Sequence, residues 1–283
     1  MQDPNRYVKN GYLHEEYRLF HLKDNLGDEK EYHYHEFNKA VIFISGKVDY
    51  LIEGTTYPLR PWDILLISDH TLHKALIDTS EDYERIILYI SPYFADKNGT
   101  EKTSLMKCFR KAESDGFYLL RLGQESRNKV KNILYDLEHE MDSEKFGSDI
   151  LARNAVLQLL ICLNRAVIDG EMDKTQVSVF YDPKIAAVIT YINENLDKDM
   201  SVDALASRCY ISKYHFMRKF KDITGYTVHG YILQKRLMYA SDLIKNGVPA
   251  SRAASMSGFK DYSTFQRAFK KVFGISPSKI LSK

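Results

Sequence analysis

Two arginines, Arg218 and Arg267, stand at matching positions of a repeated segment. With an offset of 49, SKYHFMRKFKDITG (212 to 225) aligns with DYSTFQRAFKKVFG (261 to 274). Phe216, Phe220 and Ile223 in the first copy, like Phe265, Phe269 and Val272 in the second, recur at i, i+4 and i+7, so each copy predicts a helix with one apolar, core-facing side. The opposite side carries Tyr214, Met217, Arg218 and Lys221 in the first copy and Ser263, Gln266, Arg267 and Lys270 in the second. A helix fits the major groove of duplex DNA, where Arg donates two hydrogen bonds to guanine and Gln bridges adenine. Tyr214 and Met217 offer apolar surface to a thymine methyl, Tyr262 joins the second set, and Lys221 and Lys270 suit phosphate.

Positioning such helices requires stops and a brace. Ser212 and Asp261 are N-cap types, and Gly225 and Gly274 fit the left-handed residue that ends a helix. Upstream, SVDALASRCYI (201 to 211) and PASRAASMSGF (249 to 259) predict short helices with turns at Cys209-Tyr210 and Ser257-Gly258. Ala206 and Ala254 are small enough to let the second helix of each pair cross closely. The result is a helix-turn-helix pattern twice, at about 201–225 and 249–274. Between them, Ile232, Arg236, Ala240, Leu243 and Ile244 have helical spacing, and Gly247 is a stop. A helix from 232 to 244 is roughly 20 Å long, which sets the two units about one DNA turn apart.

Charge separates this region from the rest. Residues 183 to 283 carry 17 Lys and Arg against 7 Asp and Glu, while residues 1 to 182 carry 23 against 31. A basic half beside an acidic one suits a polyanionic partner for the first alone.

The first half starts as short β-type runs: AVIFIS (40 to 45), VDYLIE (48 to 53), DILLIS (63 to 68) and RIILYI (85 to 90), broken by turn residues. This spacing predicts a small barrel or sandwich able to hold one small ligand. From Gln124 the period becomes helical, with Ile133, Leu137 and Met141, then Ile150, Asn154, Leu157 and Ile161, flanked by Val156, Leu160, Leu163 and Val167. The turn EKFGSD folds these into a hairpin, which caps the barrel or forms a dimer seam. The polar stretch 169–182 reads as a linker. Cys108, Cys162 and Cys209 are too widely spaced for a zinc finger or a disulfide framework. The N-terminus shows no signal-peptide core, and no uninterrupted apolar run approaches the ~18 residues of a membrane helix. A cytoplasmic protein with no membrane partner is expected.

The segments LASRCYISKYHFMRKFKDITG, YILQKRLMYASDLI and AASMSGFKDYSTFQRAFKKVFGISPSKI together resemble the AraC/XylS family of bacterial transcription regulators, over about residues 185 to 283. The resemblance implies a seven-helix DNA-binding domain with base contacts on Tyr214, Met217, Arg218, Tyr262, Ser263, Gln266 and Arg267. Met217 departs from the polar residue often found there. Activation through RNA polymerase beside a promoter is also implied by the family.

The strand-rich half resembles the cupin-type sensor of the same family. In YHYHEFNKAVIFISG, His33 and His35 alternate onto one strand face, and His73 falls where the second cupin motif has its histidine. Three histidines facing one lumen could bind a metal. Asn38 and Lys39, however, stand where metal cupins carry a glutamate, so the histidines are expected to line an effector pocket with no metal or other cofactor.

The expected fold is therefore α+β in two domains. Residues 1–168 form a cupin-like β-barrel with a helical hairpin, for effector binding and dimerisation. Residues 169–182 link this part to an all-α, AraC-type DNA-binding domain at 183–283. The expected function is a homodimeric, sequence-specific regulator of promoter DNA, an activator answering a small polar effector such as a sugar, and not an enzyme. Two alternatives stand beside it: a metal-dependent cupin enzyme fused to a DNA-binding tail, and an effector-independent regulator.

Overall fold

The computed structural model describes residues 8–9, 13, 15–25, 33–172, 180–245 and 247–282. Half of the expected linker, at 173–179, and residues 1–7, 10–12 and 14 of the N-terminal stretch read for a signal peptide lie outside the described residues. The chain divides into two compact units, one formed by Lys9–Ile52 and Thr56–Phe180 and the other built on Tyr181–Lys283.

The first unit is rich in antiparallel strands: β1 (Val8–Lys9), β2 (Tyr17–Asp24), β3 (His33–Tyr34), β4 (Asn38–Ser45), β5 (Lys47–Ile52), β6 (Thr55–Pro58), β7 (Asp63–Ile67), β8 (His73–Asp78) and β9 (Tyr83–Ile90). After α1 (Pro92–Asn98) and α2 (Lys107–Asp115) comes β10 (Leu119–Arg121). One sheet runs β10-β7-β4-β9-β2, and in the other β3, β8, β5 and β6 lie side by side. Both sheets feed one apolar core, with Val41, Ile64 and Leu88 from the first and Ile52 and Tyr57 from the second. The four strand runs read from sequence correspond to β4, β5, β7 and β9. In β4 and β7 almost every residue is buried, which is why they read as continuous apolar runs rather than alternating ones.

Sequence periodicity did not reveal α1 and α2, which are too short to repeat an apolar face. Their local signals were present nonetheless. Ser91 caps α1 by accepting from the Phe94 amide at 3.0 Å, with Pro92 in the first turn, and Gly116 ends α2 in the left-handed region.

The expected hairpin is α3 (Gln124–Met141) and α4 (Ser148–Ile168). Val156, Leu160, Leu163 and Val167 form its buried row. Asn164 fastens α4 to the start of α2, donating to the Leu105 carbonyl at 2.8 Å and accepting from the Cys108 amide at 2.9 Å. By length and composition alone α4 is long and apolar enough to cross a membrane. Half of that stretch is buried in the protein, as in a core helix. The expectation counted only uninterrupted apolar runs, and Arg153, Asn154 and Gln158 break this one.

The second unit begins with the two-residue strand β11 (Phe180–Tyr181) and continues as helices α5 (Pro183–Glu194), α6 (Val202–Arg208), α7 (Lys213–Thr224), α8 (Val228–Lys245), α9 (Ala250–Met256) and α10 (Tyr262–Phe273), then a 3₁₀ turn at Pro277–Ser282. The brace α8 starts four residues before the expected Ile232. Its 18 residues span about 27 Å rather than 20 Å. The extra turn begins at Thr227, a capping type whose hydroxyl accepts from the Gly230 amide at 3.1 Å.

Candidate nucleic-acid interface

The repeated helices are α7 and α10, and their ends are those expected. The Ser212 hydroxyl accepts from the His215 amide at 3.3 Å, and the Asp261 carboxylate accepts from the Thr264 amide at 2.6 Å. Hydrogen bonds from the Thr264 side chain and then from its amide lower the pKa of Asp261, holding it anionic at the positive end of the helix. Gly225 and Gly274 end the helices with φ of 75° and 72°.

Each helix turns its phenylalanines inward. Phe216, Phe220, Phe265 and Phe269 are fully buried, whereas Ile223 and Val272 are half-buried at the edge. The rings pack as pairs, Phe216 on Phe220 at 5.7 Å and Phe265 on Phe269 at 5.3 Å between centroids. Ala206 on α6 and Ala254 on α9 are buried, as expected where α7 and α10 cross them. The second pair shares a cluster with Leu237, Ala240 and Ile244 of α8. In the first pair, Phe220 meets Tyr231 of α8 edge to face at 5.6 Å.

Burying one face commits the other to solvent. Tyr214, Met217, Arg218 and Lys221 are exposed on α7, and Tyr262, Ser263, Gln266, Arg267 and Lys270 are exposed on α10. Tyr214 is 76% exposed and the Arg218 side chain 74%. An apolar-walled groove runs beside α7, lined by Tyr214, Met217, Arg218, Thr227 and His229. Thr227 and His229 were not singled out from sequence, because they precede the periodic part of α8.

The family described as AraC-like ligand binding domain matches residues 20–160, and that described as helix-turn-helix domain matches residues 205–283. The chain belongs to the AraC family. It is a DNA-binding transcriptional regulator. Among its relatives is the probable transcriptional regulator LumQ of Photobacterium leiognathi, 24% identical over 257 residues, which are 90% of this chain and 94% of LumQ. Another is the HTH-type transcriptional activator RhaS of Yersinia pestis bv. Antiqua (strain Angola), 24% identical over 253 residues and 88% of both chains. These relatives are regulators by name, not enzymes. Similar solved structures include the DNA-binding domain of AdpA in complex with a target DNA, 26% identical with TM-score 0.34, covering 36% of this chain and 91% of that one. ToxT from Vibrio cholerae is 13% identical with TM-score 0.36, covering 95% of this chain and 98% of ToxT.

In the AraC-like ligand-binding half, the three sequence-predicted histidines come together. His33 pairs in register with His73 across β3 and β8, and His35 lies on the same side two residues on. Ring centroids are 4.4 Å apart for His33 and His73, and 5.0 Å from His35 to each of the others. All three are buried. Burial, then the charge of Lys39, holds the pKa of His73 well below its usual value and keeps its ring neutral.

His33 and His35 line a cavity of ≈ 130 Å³ together with Lys39, Tyr50, Tyr83 and Arg85. Arg85 pairs with Asp24 at 2.8 Å and donates to the Tyr83 carbonyl at 2.9 Å. Burial raises the pKa of Tyr50 and, more strongly, that of Tyr83, so both stay protonated. Sequence reading missed Tyr50, Tyr83 and Arg85 as lining residues. Their signal was a polar side chain within an otherwise apolar strand, most clearly Arg85 in YERIILYI.

The cysteines are free thiols, and burial pushes that of Cys108 up to about 12.

Proposed function

We propose that this AraC-family regulator is a cytoplasmic activator that reads promoter DNA with α7 and α10, through Tyr214, Met217, Arg218, Tyr262, Ser263, Gln266 and Arg267, with Lys221 and Lys270 on phosphate. The observation that carries the reading is the twinning: two capped helices of one design, each with buried phenylalanines and an exposed arginine at the same position. The chemistry of those side chains suits base edges and phosphates in successive major grooves. The DNA-reading domain is residues 183–283, joined by 169–182 to a sensor at 1–168.

The sensor's occupant, on this reading, is a small polar effector held by His33, His35 and His73 and their cavity. Homodimerisation uses the outer face of the hairpin, where Ile150, Asn154, Leu157, Ile161 and Ile168 make one stripe along α4. Ile150 and Ile168 are each 59% exposed, and Phe146 in the preceding turn is fully exposed. An apolar stripe of this kind favours self-association. RhaS is named an activator, which supports activation for this chain.

Selection of bound sequences from a random duplex pool, with the full chain and its Arg218→Ala and Arg267→Ala variants, tests the DNA reading. Each variant is expected to lose preference at its own cluster of base positions, in clusters about one DNA turn apart. Unchanged preferences in both variants refute the assignment.

A further inference from the structure

We infer that His229, with Thr227 beside it, holds a DNA backbone phosphate next to α7, through a contact that strengthens as pH falls. The inference rests on the reading of α7 given above and adds two residues from outside the reading helices.

The 49-residue repeat continues past those helices. Gly225 falls on Gly274, Thr227 on Ser276, Val228 on Pro277 and His229 on Ser278. Val228 opens α8 and Pro277 opens the 3₁₀ turn, so in both units a helical segment restarts three residues after the glycine. The copies agree in a hydroxyl, at Thr227 and Ser276. They differ at the position two residues on, where the first unit exposes His229 and the second exposes Ser278.

The surroundings of His229 suit one sugar–phosphate unit of DNA. The groove beside α7 has a volume of ≈ 380 Å³, and Tyr214, Met217 and Arg218 belong both to it and to the reading face. A strand whose bases meet α7 therefore runs alongside it. Val202, Met217 and Val228 give the groove apolar wall for a deoxyribose, while Thr227, His229 and Lys221 bring donors for its phosphate. The Thr227 hydroxyl accepts from the Gly230 amide at 3.1 Å, which leaves its own proton to donate.

Charge adds the pH dependence. From α7, the groove receives Tyr214, Arg218, Lys221 and Asp222, whereas α6 contributes only the apolar Val202. Asp222, the one carboxylate on these walls among the described residues, lies 3.8 Å from Arg218. The phosphates of a bound duplex favour an imidazolium over a neutral imidazole. Binding then takes up a proton at His229, so affinity rises as pH falls across the range, about pH 5 to 8, in which histidine changes charge. Ser278 has no charge to change, and the second unit lacks this dependence.

The test uses the full chain and a duplex enriched by its own selection from the random pool, titrated over a range of KCl at about pH 6 and about pH 8. His229→Ala is expected to weaken binding roughly three- to fivefold near pH 6 and less than about twofold near pH 8, on every sequence alike, and to lower the salt slope near pH 6 by about 1. His229→Lys, charged at both, should bind like the wild type near pH 6 and lose the pH dependence. His215, exposed on α7 but outside the groove, acts in wild type and variant alike and cancels in the comparison. Ethylating single phosphates should locate the contact, at a site beside the base positions that Arg218→Ala releases and without effect on His229→Ala. Equal binding of wild type and His229→Ala near pH 6 overturns the inference. An equal loss at both pH values overturns its proton dependence, and altered base preference overturns the phosphate assignment. Unchanged preference in Arg218→Ala brings down the α7 reading itself, whereas a shifted preference there beside a silent His229→Ala brings down this inference alone.

Discussion

The two helix-turn-helix units share a design and differ at their turns and in the company of their cations. In the first turn Tyr210 adopts φ 54° and is 90% exposed. The matching residue of the second is Gly258, at φ 85°. A side chain there would overlap the Leu196 carbonyl oxygen and come within 2.9 Å of the Arg236 guanidinium. Arg236 itself donates to the Leu196 and Lys198 carbonyls at 2.8 and 2.6 Å, closing the segment after α5. The second turn is thus packed against the domain frame, while the first is open to solvent. A left-handed turn can be met by any residue where space permits, but only by glycine where backbone lies against it.

The cations differ in the same sense. On α7, Lys213 pairs with Asp203 at 2.7 Å, Lys219 with Asp182, and Arg218 more loosely with Asp222 at 3.8 Å. On α10, Arg267 donates to the Ser263 carbonyl of its own helix at 3.4 Å and its charge acts on the Asp261 carboxylate, while Lys271 stands where α7 has the acidic Asp222. The first helix must therefore give up a side-chain carboxylate partner on the same helix when Arg218 reaches a base, whereas Arg267 gives up a long bond to its own backbone.

The largest expected effect breaks the turn comparison: Gly258→Ala should cost roughly 2 to 5 kcal/mol in a denaturant midpoint measurement, through overlap with backbone and strain at positive φ. A cost below 1 kcal/mol would show that the second turn is as open as the first. Next come the arginines, each expected to lose roughly 1 to 3 kcal/mol of operator affinity on change to alanine, with Arg267→Ala the costlier. Binding titrations that rank Arg218→Ala above it would reverse the electrostatic contrast. Asp222→Ala is expected to tighten binding to every DNA sequence by less than about threefold, and more at low salt, because an exposed pair is weak and screened. Smallest of all, Tyr210→Gly should stabilise the fold by about 0.5 kcal/mol, relief of the left-handed strain being partly cancelled by the flexibility of glycine in the unfolded chain.

The reading of the DNA-binding half from sequence rested on local rules, and these survived. Ser212, Asp261, Gly225 and Gly274 are caps because helix ends need such groups whatever surrounds them. Phe216 and Phe265 are core because helical spacing puts them on one side. The sensor half was less legible. Its histidines could be placed on one strand face, yet nothing local joins Arg85 on β9 to His33 on β3, or marks Lys39 as lining the same cavity.

Sequence alone determined the twinned helices, their ends and their wet faces, since period and capping act within a dozen residues. Tertiary structure alone decided which cations meet a carboxylate, why Gly258 must be glycine, and how three histidines come within reach of one point. Those facts depend on strands and helices distant in the chain, brought together by burial of a common core, and which distant segments meet carries no signature in the spacing of any single one.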